Sequence, residues 1–450
     1  MNKNITNLTK RIFLISILTY LFLFDQIFYF YDFKIDMRIS LLLLTVIPLI
    51  TNKNKDYLKM TIYWIIFITF FYLQSLLKFG DINKLDYTFF NLKNLSICLF
   101  LSIILLNIKN IYISFNKIVL CFILIFPFLY IISRIQIFYY FSNEYEFIEI
   151  FKFTFGNIRI FFLENNIQSN ILYLFKEQSH FNMIGVLVII NFLFFINKIK
   201  NRIKLIYIWI NFIFFYFVIL INLSSTFVYG YALTIFFIYI LFFKNLNKYF
   251  IINSLIILII TINFSSNNDK IKEISLNFFK SLKEYEKSLI ILNNDIDEEN
   301  QKKISKYKST ALTNLSFEVY LFNLKLSSKA FSQNPFGYGL NSYNLVHDKF
   351  FKFIPNKLKG SNWLNKSNGS NLLFKSLAEF GIFMILFGIM LATITFNKKV
   401  NIKKKIIIVS GLFTIVAIRG AGYVNAGFLI FFILSIYELK NLLYKINIKK

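Results

Sequence analysis

The chain has 450 residues, of which 57% are hydrophobic, 20% aromatic and only 16% charged, with a mean hydropathy of +0.59. A water-soluble fold of this size needs far more polar surface. Apolar runs of about 18 residues recur, each enough to cross a hydrocarbon layer about 30 Å thick, so the class is a polytopic all-α membrane protein. The net charge of +27 does not indicate a nucleic-acid binder, because the basic residues are dispersed rather than gathered on one face, and the period-2 alternation of a β-barrel is absent.

In chain order, spans are expected near 12–30, 39–51, 59–78, 94–108, 117–138, 180–197, 204–223, 226–243, 249–264, 371–396, 405–418 and 422–439. Lys10 and Arg11 precede the first, and no small-residue cleavage site follows it, which marks a retained span. Cys98 and Cys121 fall inside apolar runs, so no disulfide framework is expected. The connections alternate sharply in charge. The set 1–11, 51–59, 108–117, 197–204, 244–248, 397–405 and 440–450 holds 23 Lys/Arg against one acid, Asp56. The set 31–38, 79–92 and 139–179 holds six basic residues and nine acids. Basic connections stay cytoplasmic, which puts both termini inside.

Three regions follow: a membrane region of about nine spans at 1–264, a large external loop at 265–370, and a membrane region of about three spans at 371–450. Ten of the fourteen glycines lie after residue 336, which predicts tight turns and close helix contacts in the last quarter and a lipid-facing scaffold in the N-terminal half. Within the loop, residues 313–332 read as an amphipathic helix leading into NPFGYGLNSYNLVHDKF, where Pro335, Gly337 and Gly339 predict a compact turn.

Candidate chemistry gathers on the external side. LFKEQSHFNMIGV places Glu177, Ser179 and His180 at the mouth of the sixth span. Glu177 and His180, three apart, share a helix face and could serve as general base for a hydroxyl; alternatively, Ser179 caps the helix and Glu177 complements its dipole. The preceding FIEIFKFTFGNIRIFFL could lie in the interface plane and carries Arg159. Arg134 falls near the external end of the fifth span and Arg419, in IRGAGY, at that of the eleventh. A guanidinium fork matches phosphate oxygens, whereas the alternative for each arginine is to anchor a helix end by snorkelling. Glu379, eight residues into the tenth span, is either a cavity carboxylate or a hydrogen bond between helices. Asn371, with Ser370, could orient a polar ligand at that helix mouth, and His347 is either a base lowered onto the site or a solvated loop histidine. The acidic DIDEEN reads as a solvated charge run, and Asp32 and Asp36 form a weak metal candidate; no metal is expected.

Taken together, KEQSHF, NPFGYGLNSY, SNLLFKSLAEFGIFMILFG and IRGAGYVNAGF resemble, in order and spacing over about residues 130–435, the bacterial O-antigen polymerase/ligase superfamily of lipid-linked glycan transferases. The first looks like that family's Glu-Pro-Ser-x-Phe element, with Gln178 in place of the Pro. Ser370 stands where ligases carry a His, which favours a polymerase, and the helix before NPFGYG lacks the Arg the family often has there. The resemblance implies a glycosyltransferase C-like fold, a polyprenyl-diphosphate-linked glycan as substrate, and transfer at the outer face of the inner membrane with no cofactor. It also implies that Arg159 and Arg419, supported by Arg134, hold the diphosphate, while Glu177 with His180 activates the acceptor. Glu379 would shape the cavity. Partners would be the lipid-linked substrate, the bilayer and a chain-length regulator. A flippase for the same substrate also fits a twelve-span chain, but one dominant loop and lopsided glycines speak against two related halves.

Overall fold

The computed structural model describes residues 28–30, 33–35, 54–79, 98, 101–102, 108–141, 146–152, 178–266, 315–351, 371–418 and 428–447. Apart from a short antiparallel hairpin, β1 (Phe28–Phe30) and β2 (Phe33–Ile35) in register Phe28↔Ile35, the described elements are helical. The hairpin corrects the first expected span, whose last three residues are strand; aromatic and β-branched residues suit a pleated backbone as well as an apolar helix. The rest of that span and all of 39–51 lie outside the described residues, as does 94–108 except for the helical Cys98, Leu101 and Ser102 and the first residue of the next helix.

Helices α1 (Asn54–Phe79), α2 (Ile108–Phe141), α4 (Gln178–Phe195), α5 (Arg202–Ile221), α6 (Ser225–Phe242) and α7 (Lys248–Ser266) match expected spans. A short α3 (Phe147–Lys152) stands between α2 and α4. Five helices among the described residues are long and apolar enough to cross a membrane, within 58–79, 115–139, 202–221, 225–245 and 248–266. Their outward faces are themselves apolar: Ile203, Ile206, Ile210, Ile213 and Phe217 of α5 are all exposed. Such a surface suits lipid and not water, so the chain is a membrane protein.

The hub of the packing is α4. Every residue from Phe181 to Leu193 is buried, as expected for a helix apolar all round, and α2, α6, α7 and the later α12 pack on it. For α4 this corrects the expectation of a lipid-facing scaffold, which α1 and α5 with their exposed apolar faces keep, because hydropathy cannot separate lipid contact from helix contact. Two buried asparagines fix its register: Asn191 Nδ2 donates to Leu187 O and to Ser410 Oγ of α12 at 2.9 Å, and Asn182 donates to the end of α5. Hydroxyls tie the next three helices together, with Tyr216 on Thr261 at 2.7 Å and Tyr231 donating to Ser254 O at 3.2 Å.

The expected loop helix is α8 (Leu315–Gln333), followed by the turn 334–342 and α9 (Tyr343–Phe351). The tenth expected span is not one helix: α10 (Leu372–Phe380) stops at Gly381 and α11 (Ile382–Phe396) restarts after it. Gly381 has φ +55°, where a Cβ is strained, so the chain breaks in a stretch whose hydropathy reads as continuous. α10 packs on α8 and α9. α12 (Ile402–Leu412) continues as a π-helix over Phe413–Ile418, and the last helix, α13 (Phe428–Asn447), runs past the expected end at 439. At one end of this pair Lys404 Nζ meets the buried Glu438 carboxylate at 2.6 Å and sits over the Tyr112 ring. Toward the other end, Gly411 lies flat against Phe431 so closely that a Cβ would overlap the ring at its inner atoms. Gly411→Ala should therefore push α12 and α13 apart and lower stability by about 1–3 kcal/mol, read as a drop in the thermal midpoint of the solubilised chain.

Candidate functional site

Arg134 is fully buried near the end of α2. A guanidinium in such a place must be held by dipoles or rings, because isolated charge burial is costly. One residue supplies both: Tyr130, a helical turn earlier, lies under it with the guanidinium carbon 4.4 Å from the ring centre, and its hydroxyl accepts from Nη2 at 2.8 Å. That hydroxyl also receives Asn222 Nδ2 at 3.4 Å from the C-terminal end of α5. Asn222 is itself fixed, its Nδ2 donating to Val218 O at 2.9 Å while its carbonyl accepts Asn182 Nδ2 at 2.6 Å. Asn182 stands in the opening turns of α4, three residues after Ser179. A continuous polar chain thus joins the buried arginine to the QSHFN end of α4.

At that end the helix begins at Gln178, so Ser179 is a half-buried residue of the first turn and not the cap. His180 belongs to the same turn. Glu177, Arg159 and Arg419 lie outside the described residues, although the π-helical segment ending at Ile418 packs on α4, α6 and α10. Its Thr414 hydroxyl bonds Ser410 O at 2.7 Å.

The second cluster is built on backbone. Asn334–Leu340 lies between the end of α1 and the α10–α11 break, and each side receives hydrogen bonds. Tyr338 N donates to Ala378 O at 3.0 Å, Gly339 N to Glu379 O at 2.8 Å, and Ile382 N returns to Pro335 O at 2.8 Å. On the other side Leu340 N donates to Phe71 O at 3.0 Å, and Gln74 Nε2 donates to Phe336 O and Gly337 O at 2.8 and 3.1 Å. Gly339, at φ +92°, is pressed against Phe71 O and Ser75 N, while Gly381 is pressed against Pro335 O. The NPFGYG turn and the LAEFG break are therefore two halves of one clamp.

Glu379, fully buried, has a definite role in it: Oε1 accepts the backbone N–H of Tyr343, the first residue of α9, at 3.1 Å. A carboxylate on the unsatisfied N–H groups of a helix start complements the helix dipole. Glu379 thus makes a structural hydrogen bond between elements, the second of its two expected roles. Tyr343 in turn donates to Asn323 of α8 at 2.6 Å. Burial holds the Tyr343 hydroxyl well above its ordinary pKa, with the neighbouring Ser327 hydroxyl opposing and the charge of Glu379 adding to the rise. Lys325, on the same helix as Asn323, is lowered by desolvation and then by its neighbour Lys329.

His347 is not a solvated loop residue. It is buried on α9, edge-on to Phe322 of α8 at 5.6 Å, with Nδ1 4.0 Å from Asp348. A small apolar cluster of Leu326, Ala330, Tyr343, Val346 and Phe350 surrounds that packing. Asn371 is the buried cap of α10, its Oδ1 accepting Phe374 N at 2.9 Å. Sequence reading missed Tyr130, Asn182 and Asn222, though an asparagine inside or closing an apolar run is a signal of buried polar pairing. Among the described residues no three His, Cys, Asp or Glu side chains gather as a metal site requires; DIDEEN, Asp32 and Asp36 lie outside them. No protein-family model, curated protein or solved structure matches the chain.

Proposed function

We propose that the chain is a membrane glycosyltransferase that joins polyprenyl-diphosphate-linked oligosaccharide repeat units into a surface polysaccharide at the outer face of the inner membrane, with both termini cytoplasmic. The observation that carries this reading is the buried Arg134 held on Tyr130 and linked through Asn222 and Asn182 to the first turns of α4, where Ser179 and His180 stand. It ties a fixed cation by hydrogen bonds to the helix whose first turn supplies a candidate base in this reading. The packing of the π-helical segment on α4 and α10 adds support, since it joins the helix that begins with QSHF to the helix of the LAEFG motif.

The chemistry needs no covalent intermediate. An acceptor hydroxyl, losing its proton to Glu177 or His180, attacks the anomeric carbon of the donor glycan. The bond from that carbon to the diphosphate oxygen breaks, and the lipid diphosphate departs with the electron pair. Negative charge grows on the leaving oxygen, so arginines aimed there stabilise the transition state more than the ground state. Arg134 is assigned to that task with Arg159 and Arg419. Glu379, committed to the start of α9, acts on the site only through the clamp.

Glycan ladders test this directly. A strain lacking the chain should carry a single repeat unit on its lipid acceptor, and the wild-type gene should restore the ladder. Arg419→Lys and Arg134→Lys, at normal membrane abundance, should each shorten the mean chain by about tenfold, as expected when a phosphate fork becomes a point charge. Long chains left unattached would identify a ligase, and complete loss of surface glycan a flippase. An unchanged ladder in the deletion strain would remove the polymerase reading.

A further inference from the structure

The polar chain beside Arg134 reaches beyond the helix that carries the cation. The ring under the guanidinium and the hydroxyl that accepts from it come from Tyr130 of α2 itself. Yet the Tyr130 hydroxyl is shared with the side chain of Asn222, at the end of α5, and the backbone carbonyl of that same asparagine is taken by Asn182 of α4. Asn222 has little freedom to adjust, because its Nδ2 and its backbone N–H both bond Val218 O, at 2.9 and 3.1 Å. All four side chains are buried. Phe181 anchors the same turn by stacking on Phe126 of α2 at 4.7 Å. The mouth of α4 is therefore joined to α2 directly by this stack, and to the Tyr130 hydroxyl under Arg134 through Asn222.

We propose that Tyr130 and Asn222 are positioning residues that set the distance between the Arg134 guanidinium and the first turn of α4. This rests on the reading of Arg134 as a group that holds the donor diphosphate. Transfer between two bound sugars requires the leaving group and the activated hydroxyl to be held within fractions of an ångström of their reacting geometry. If the cation rides on α2 and the base on α4, some element must fix one helix against the other at that level. Asn222, at the end of α5, adds to the direct packing of α2 on α4 by touching both. Removing the Tyr130 hydroxyl takes the acceptor from both Arg134 and Asn222, whereas Asn222→Ala keeps the bond from Arg134 to Tyr130 and releases only the link to α5.

The experiment uses the full-length chain in the deletion strain, with the strain's own glycan as probe and membrane abundance matched. Tyr130→Phe and Asn222→Ala are each expected to shorten the mean chain by about threefold or more, and Tyr130→Phe should shorten it no further in an Arg134→Lys background, the non-additivity of groups acting as a unit. Asn191→Ala is the control for general loosening: it removes a buried bond between α4 and α12 outside this chain, and should lower thermal stability with the ladder unchanged. Should Tyr130→Phe fail to reach the membrane, Asn222→Ala decides. If Arg134→Lys shortens the ladder while Tyr130→Phe and Asn222→Ala do not, or if the losses multiply, the positioning role is wrong and the transferase reading stands. If Arg134→Lys leaves the ladder intact, the donor-holding role fails and this proposal with it.

Discussion

Gly381→Ala should cost the solubilised protein at least about 3 kcal/mol, while Gly388→Ala, seven residues later in the same predicted span, should be neutral or stabilising by up to about 1 kcal/mol. The contrast follows from geometry. At Gly381 the backbone sits at φ +55°, and an added Cβ would overlap Pro335 O and Gly337 N. Neither obstacle is the flexible end of a side chain; both are backbone held in the clamp. The methyl group must therefore break the bond from Ile382 N to Pro335 O or unwind the start of α11. Gly388 is an ordinary residue of α11, and a methyl group added there would meet nothing within 4 Å, so the substitution adds only helix propensity. Gly339→Ala should resemble Gly381→Ala, because its methyl group would meet Ser75 N and Phe71 O of α1. Thermal unfolding by intrinsic fluorescence ranks the three. Equal midpoints for Gly381→Ala and Gly388→Ala would dissolve the clamp as a structural element.

Glu379→Ala should be the second severe change, and Glu379→Gln a mild one. The alanine leaves the N–H of Tyr343 buried with its acceptor gone, a loss of about 1–3 kcal/mol, together with a cavity where the carboxylate stood. Glutamine retains a carbonyl oxygen for the same N–H and gives up only the charge that complements the start of α9. The consequence should be local. α9 loses its anchor to α10, so limited proteolysis should cut the 334–351 segment faster in Glu379→Ala while the α4–α7 core keeps its protection. If cleavage is equally fast in the glutamine variant, charge and not hydrogen bonding is what holds α9.

The sequence carried the membrane class, the positions of most described helices, the α8 helix and the compact NPFGYG turn, since each depends on local pattern: apolar length, helical periodicity and glycine. Three features escaped it for one reason. The burial of α4 on all sides, the break at Gly381 and the commitment of Glu379 to Tyr343 are all decided by what packs opposite. Hydropathy gives the same signal for a residue against lipid and for one against another helix. Glu379 drew attention as an ionisable group inside an apolar run, and its burial agrees; its partner lay 36 residues upstream, beyond any local rule. His347 failed in the opposite direction, being read at a loop position although Tyr343 and His347, one turn apart on α9, line its buried side. Of the candidate site, the neighbourhood of Arg134 and the α4 mouth was legible as separate motifs, while the asparagines that connect them were not.

The break at Gly381 leaves α11 as an apolar helix of 15 residues, and the apolar part of α4 is equally short, Phe181 to Phe195. At 1.5 Å per residue each covers about 22 Å, some 8 Å less than a hydrocarbon layer of about 30 Å. The shortfall has to be met by a dimple in the lipid or by polar groups sunk below the headgroups. Both short helices start at a candidate motif, so on the proposed sidedness the shallow place falls at the α4 mouth and the clamp. A lipid-borne phosphate would then descend toward Arg134 instead of the arginine rising to meet it, and would do so where little water remains to weaken their attraction.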